Sequence, residues 1–113
     1  MGRARRARST VAWQAGRMVL EVGDIEITPG HEDEFVAAYL SVREVLRTTP
    51  GCRSVRMTRG VESPSRFVLL VEWDDVAAHE QNFRGTERFA TWRAAIGPHF
   101  ARPPHVEHVA DVD

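Results

Sequence analysis

Residues 67–73 read Phe-Val-Leu-Leu-Val-Glu-Trp, and the fold of the chain turns on them. Turn residues precede the run (Glu62-Ser63-Pro64-Ser65) and Asp74-Asp75 follows it, so it reads as a β-strand. Alternate side chains on a strand point to opposite faces. Phe67, Leu69, Val71 and Trp73 then share one face, while Val68 and Leu70 lie on the other, where only Glu72 is polar. A strand apolar on both faces belongs in a sheet covered on both sides.

Working outward, residues 52–61 read as a strand that forms a hairpin with the first, with Val55, Met57 and Val61 on one side. Residues 18–27 read as another strand. Its alternation Met18, Leu20, Val22 changes phase to Ile25, Ile27, which predicts a bulge around Gly23 and Asp24. Thr28-Pro29-Gly30 is turn chemistry, and the acids Glu32, Asp33 and Glu34 suit the positive end of a helix. Phe35, Tyr39, Val42 and Leu46 recur at helical spacing to about residue 48, where Thr49-Pro50-Gly51 stops the helix. Beyond Trp73, Asp74-Asp75 caps a short helix over 76–83. Gly85 breaks it, Thr86 caps another to Ile96, and Gly97-Pro98 closes that one. Pro103-Pro104 precedes a last strand over 106–112. The order β-α-β-β-α-α-β predicts an α+β, ferredoxin-like fold, a four-stranded antiparallel sheet with its helices on one face. The other face needs cover of several hundred Å², roughly what a soluble monomer seldom exposes. A second copy packed sheet to sheet is expected, a homodimer being the commonest closed assembly. The alternative is an N-terminal segment folded back over that face.

Composition excludes several classes. At 113 residues, 42% hydrophobic and 27% charged, the chain has the balance of one ordinary globular domain. No apolar run approaches the ~20 residues of a membrane span. Cys52 is the single cysteine, which excludes an internal disulfide framework. All 15 basic residues are arginine, so Schiff-base lysine chemistry is excluded too. Five of the arginines (Arg3, Arg5, Arg6, Arg8, Arg17) fall in residues 1–17 with no acid, and residues 18–113 hold ten against 16 acids. Residues 1–17 are therefore read as a flexible extension and 18–113 as the single domain. The acidic body argues against a nucleic-acid partner, and no secretory signal is evident, so a cytoplasmic location is expected. His105 and His108 lie on opposite faces of their strand and cannot chelate one ion together. His99 follows a Gly-Pro stop and His31 sits in a helix start, so a metal site is expected, if at all, only across chains.

Three motifs carry a resemblance: Ile27-Thr28-Pro29-Gly30 before an acidic helix start, Thr49-Pro50-Gly51 before a strand, and Glu72-Trp73-Asp74-Asp75-Val76-Ala77-Ala78-His79. Over about residues 19–112 the chain resembles the antibiotic biosynthesis monooxygenase family, whose members form dimeric α+β barrels. Asn82-Phe83 and Pro103-Pro104 are similar to the branch that oxidises anthrones or dihydroquinones. The resemblance implies a pocket between sheet and helices, with Trp73 as pocket tryptophan and His79 in place of that branch's tyrosine. Leu69 stands where the branch has an asparagine, and Met57 falls near a position that is histidine in some members. A haem-degrading branch uses asparagine, tryptophan and histidine where this chain has Gly23, Asn82 and Trp92 or Arg93, so haem cleavage is not expected.

The implied chemistry needs neither metal nor flavin: a deprotonated phenol or hydroquinone passes an electron to dioxygen directly. Such a site requires aromatic walls, hydrogen-bond donors for the oxyanion and a base near neutral pKa. Trp73, Phe83, Phe89 and Trp92 are candidate walls, with Leu69 beside them. His79 is the candidate catalytic base, having an ordinary pKa near neutrality. Asn82 and Arg93 are candidate donors. His79, Asn82 and Phe83 fall on adjacent parts of one helical face. Phe89, Trp92 and Ile96 at helical spacing equally fit plain core packing. The expectation is a cofactor-independent monooxygenase of a small aromatic substrate. A non-catalytic ligand-binding dimer and an isomerase or cyclase remain as alternatives.

Overall fold

The computed structural model describes residues 17–113. The extension expected over 1–17 lies, Arg17 apart, outside the described residues. Strand β3 (Arg66–Trp73) sits inside a four-stranded antiparallel sheet between β2 (Cys52–Arg59) and β1 (Val19–Glu26). Strand β4 (His105–Val109) pairs with the far side of β1, giving the order β2-β3-β1-β4. This interior position bonds β3 along both edges but leaves its two faces to be covered separately. Phe67, Leu69, Val71 and Trp73 are buried beneath the helices, and Val68 and Leu70 occupy the opposite face.

Strand β1 carries no bulge. Its register with β3 runs unbroken from Val19 opposite Trp73 to Glu26 opposite Arg66. Val19, Glu21, Gly23 and Ile25 are all buried on the helix-covered face, while Leu20 and Val22 point the other way. The apparent change of phase arises because a glutamate and a glycine interrupt a core-facing series. A hydrophobic pattern cannot distinguish that from a slip of one residue. Among the described residues the one irregularity in the strand ladders lies in β2, between Cys52 and Ser54. Val61 lies beyond β2 and is exposed.

Helix α1 (Glu32–Arg47) buries Phe35, Tyr39, Val42 and Leu46, the four residues that its spacing singled out. Phe35 meets Phe67 edge-on, with ring centroids 4.8 Å apart. Helix α2 (Val76–His79) is capped by Asp75, whose Oδ1 accepts from the Ala78 amide at 2.8 Å. It does not continue regularly to residue 83: Glu80–Arg84 form a π-helical turn, in which the Gly85 amide donates to the Glu80 carbonyl. Such turns widen the helix and redirect its side chains, and they are frequent at functional sites. Helix α3 (Glu87–Ile96), capped by Thr86, leads into a 3₁₀ turn over Gly97–His99. Arg88 Nη1 joins α3 to α1 by donating at 3.0 Å to the Val45 carbonyl and to Thr48 Oγ1. Gly51 holds the crossing of the α1–β2 turn under α2. Its φ is +88°, and a Cβ there would stand 2.6 Å from that of Ala78. No helix among the described residues is long and apolar enough to cross a membrane.

Candidate functional site

A cavity of about 360 Å³ opens between the helix-covered face of β1 and β4 and the two helices that follow β3. Six of the residues singled out from sequence line it: Leu69 from β3, His79 and Phe83 from α2 and its π turn, and Phe89, Trp92 and Arg93 from α3. Ile96 and Phe100 add further apolar wall, and Pro103, Pro104 and Val106 close the side toward β4. Gly23 contributes space. A Cβ at that position would lie 3.4 Å from Leu69 Cβ and 3.8 Å from Val106 Cγ2, pressing on the cavity from the sheet.

Hydrophobic patterning concealed one polar group of this cavity. Glu21 reaches the cavity from the middle of β1 and is only 5% exposed. Its Oε1 accepts a 2.8 Å hydrogen bond from Trp73 Nε1 and lies 3.4 Å from His79 Nε2. His79, 2% exposed, stacks on the Trp73 ring at 4.9 Å and 15°, and its Nδ1 is 2.7 Å from Nε2 of His108 on β4. His108 stands directly opposite Glu21 in the β1–β4 ladder. One nitrogen of the histidine pair must donate and the other accept, so the position of one proton fixes the tautomers along the row. Among the described residues no buried side-chain nitrogen or oxygen lacks a partner.

Burial governs the protonation of this row. It pushes the Glu21 carboxyl up to about 7, against the smaller lowering effects of the Trp73 hydrogen bond and the Arg84 charge. It pulls His79 down to about 4, with His108 and Arg84 adding to the effect. His108 is lowered as well, chiefly by burial. His79 is thus neutral at pH 7, and Glu21 titrates where His79 was expected to.

Two predicted pocket residues stand elsewhere. Trp73 is fully buried behind Glu21 and His79 and does not line the cavity; it acts as a hydrogen-bond donor and stacking partner. Asn82 faces away, donating from Nδ2 to the Pro50 carbonyl at 2.8 Å. The π turn replaces the regular helical spacing on which its grouping with His79 rested. Met57, on β2, does not line the cavity either. Arg84, not singled out from sequence, does, and its guanidinium lies 5.4 Å over the Phe89 ring.

A second cluster lies between the start of α1 and the 3₁₀ turn. His31 Nδ1 and His99 Nδ1 are 3.4 Å apart, and Glu34 Oε1 is 3.9 Å from His31 Nδ1. One chain therefore brings together three residues whose ligand atoms lie within 4.8 Å of one another, where sequence had suggested that only two chains could.

Comparison with known proteins agrees with this architecture. A Bordetella bronchiseptica protein solved as a candidate antibiotic biosynthesis monooxygenase is 35% identical, with a TM-score of 0.81 over 85% of this chain and 98% of that one. SnoaB of Streptomyces nogalater, a cofactor-independent oxygenase, shares the fold at 14% identity and a TM-score of 0.73, over 85% and 94% of the two chains. The uncharacterized protein YczJ of Bacillus subtilis (strain 168) is 30% identical over 95 residues, 84% of this chain and all of YczJ. Residues 18–95 match the model of the antibiotic biosynthesis monooxygenase family, to which the chain therefore belongs.

Proposed function

We propose that this protein is a cofactor-independent monooxygenase that oxidises a small phenolic aromatic, of the anthrone or hydroquinone kind, with dioxygen. The observation that carries the reading is Glu21: a single carboxyl in an aromatic-walled cavity, held by Trp73 and titrating near pH 7. A general base is most effective when its pKa lies near the working pH. On this reading Glu21 takes the phenolic proton and Arg93 faces the anion that results. The electron-rich anion transfers an electron to dioxygen, the resulting radical and superoxide recombine to a carbon-bound hydroperoxide, and its O–O bond then breaks, leaving one oxygen atom on carbon. For an anthrone, the methylene carbon gives up two hydrogens and becomes a carbonyl, and the second oxygen atom leaves as water. His79 is a positioning residue that links Glu21 to His108, and Phe83, Trp92 and Leu69 hold the ring. Family membership supports the monooxygenase class.

The homodimer belongs to the same proposal. Leu20 and Val22 of β1 and Val68 and Leu70 of β3 form a half-buried apolar stripe on the sheet face opposite the described helices. A second copy packed there would complete the two-sided cover that β3 demands.

Purified protein incubated with anthrones and hydroquinones under oxygen, with quinone absorbance and oxygen uptake followed together, tests the activity. A saturable rate above that of buffer is expected, with oxygen consumed in step. Ligand binding without turnover would favour the non-catalytic dimer instead. Substrate conversion without oxygen uptake would favour an isomerase or cyclase.

A further inference from the structure

We propose that His31, His99 and Glu34 form a binding site for a borderline divalent cation of the zinc class, built within one chain and separate from the aromatic cavity. The chain contains two close histidine pairs, and their lengths differ in a telling way. His79 and His108 meet at 2.7 Å, the length of a hydrogen bond. His31 and His99 present Nδ1 to Nδ1 at 3.4 Å, long for a hydrogen bond between rings. Two nitrogens bound tetrahedrally to one zinc ion at about 2.05 Å stand about 3.3 Å apart. The His31–His99 separation is therefore that of two ligands sharing an ion. Glu34, one helical turn after His31, brings a carboxylate oxygen to 3.9 Å from His31 Nδ1, and the three ligand atoms lie within 4.8 Å of one another. Two imidazoles and one carboxylate make a set that suits zinc and its neighbours, with a position left for water, whereas calcium and magnesium prefer oxygen throughout.

The backbone holds this arrangement before any ion arrives. The Thr28 amide donates to the His99 carbonyl at 2.9 Å, the His31 amide to the Thr28 carbonyl, and the Phe35 amide to the His31 carbonyl. The positive end of α1 disfavours a cation here. The acids of the first turn, Glu32, Asp33 and Glu34, oppose that effect. Glu32 is engaged with the Gly30 amide and Ser65 Oγ, which leaves Glu34 to turn toward the histidines. His99 immediately precedes Phe100, whose ring lines the aromatic cavity. A bound ion thereby ties the start of α1 to a wall of that cavity.

Calorimetric titration of the chelator-treated full chain with zinc chloride tests the site. One ion per chain is expected, with affinity reduced at least tenfold in His31→Ala and in His99→Ala and several-fold in Glu34→Gln. His105→Ala, at an exposed histidine of β4, is expected to leave binding unchanged. Both histidine substitutions keep the backbone hydrogen bonds named above, and circular dichroism establishes that each variant is folded. Cobalt(II) bound to the wild type provides a readout independent of any variant, through the intense visible absorption of a tetrahedral nitrogen-oxygen site. Unchanged affinity in His99→Ala, loss of binding in His105→Ala, or an octahedral cobalt spectrum in the wild type would each overturn the proposal. The binding is read without substrate, so failure here leaves the proposed oxidation standing, and the reverse holds.

Discussion

Glu21 shows how one position can be both inconspicuous in sequence and central in structure. Because burial holds its carboxyl near pH 7 instead of 4.5, the folded chain retains a proton that the unfolded chain releases. The stabilisation is complete below about pH 4.5 and is lost as pH rises to about 7, on the order of 3 kcal/mol at 1.36 kcal/mol per pKa unit. His79 has the opposite sign, since its lowered value makes acid conditions destabilising between about pH 6.5 and 4. The two slopes largely cancel between pH 4.5 and 6.5. Urea unfolding of Glu21→Gln across this range should therefore expose the uncompensated His79 slope, with stability rising toward neutrality more steeply than in the wild type. The same variant should lose about 10²-fold or more of any oxidation rate, the usual contribution of a general base. Trp73→Phe removes the one hydrogen bond that favours the Glu21 anion. Its pH–rate profile should shift toward alkali with the fold intact. Spacing and side-chain type pick out Leu69, Phe83, Phe89 and Trp92, which line the cavity, and also Trp73, which does not. Sequence reading missed Glu21 because an acid among buried neighbours looks like a break in pattern, and it missed His108 because no local signal shows which residue a sheet edge places opposite another.

At the scale of elements, the deciding piece is the join between Trp73 and Arg84. Asp75 starts a helix in the expected place, but after one turn the chain adopts π winding. Helical spacing placed Phe83 in the cavity and wrongly placed Asn82 beside it, since i+3 and i+4 neighbours hold only for regular winding. Capping residues and strand starts were legible because Asp75, Thr86, Gly51 and the prolines act locally. The last strand ends at Val109, short of the residue 112 expected, because its end depends on how far β1 pairs with it. The absence of a bulge in β1 was not legible either, because it depends on a partner strand more than forty residues away. Gly51→Ala tests how far the site depends on the join. The variant must adopt a left-handed backbone and push against Ala78, at a cost of about 1–3 kcal/mol. A fall in Tm of several degrees should follow, together with weaker binding of aromatic ligands as α2 shifts.

For the whole molecule, the half-buried apolar stripe of Leu20, Val22, Val68 and Leu70 is the face that the proposed second copy would cover. Sedimentation at micromolar concentration should give a species of about twice 12.8 kDa. Leu70→Arg should give a single chain with its helix content unchanged, and a wild type that sediments alone would refute the dimer. Sequence anticipated this face from the composition of β3 alone, and the ladder on both sides of that strand agrees.

The walls of the cavity are unequally anchored. Leu69 belongs to a strand bonded along both edges, while His105 and Val106 belong to a five-residue strand at the rim of the sheet, bonded along one. Amide protons of that outer strand should exchange with deuterium well before those of the inner one. A tightly held aromatic guest should slow them selectively. The rim would then be the side that yields when a flat molecule enters, leaving the carboxyl and its tryptophan undisturbed on the rigid floor.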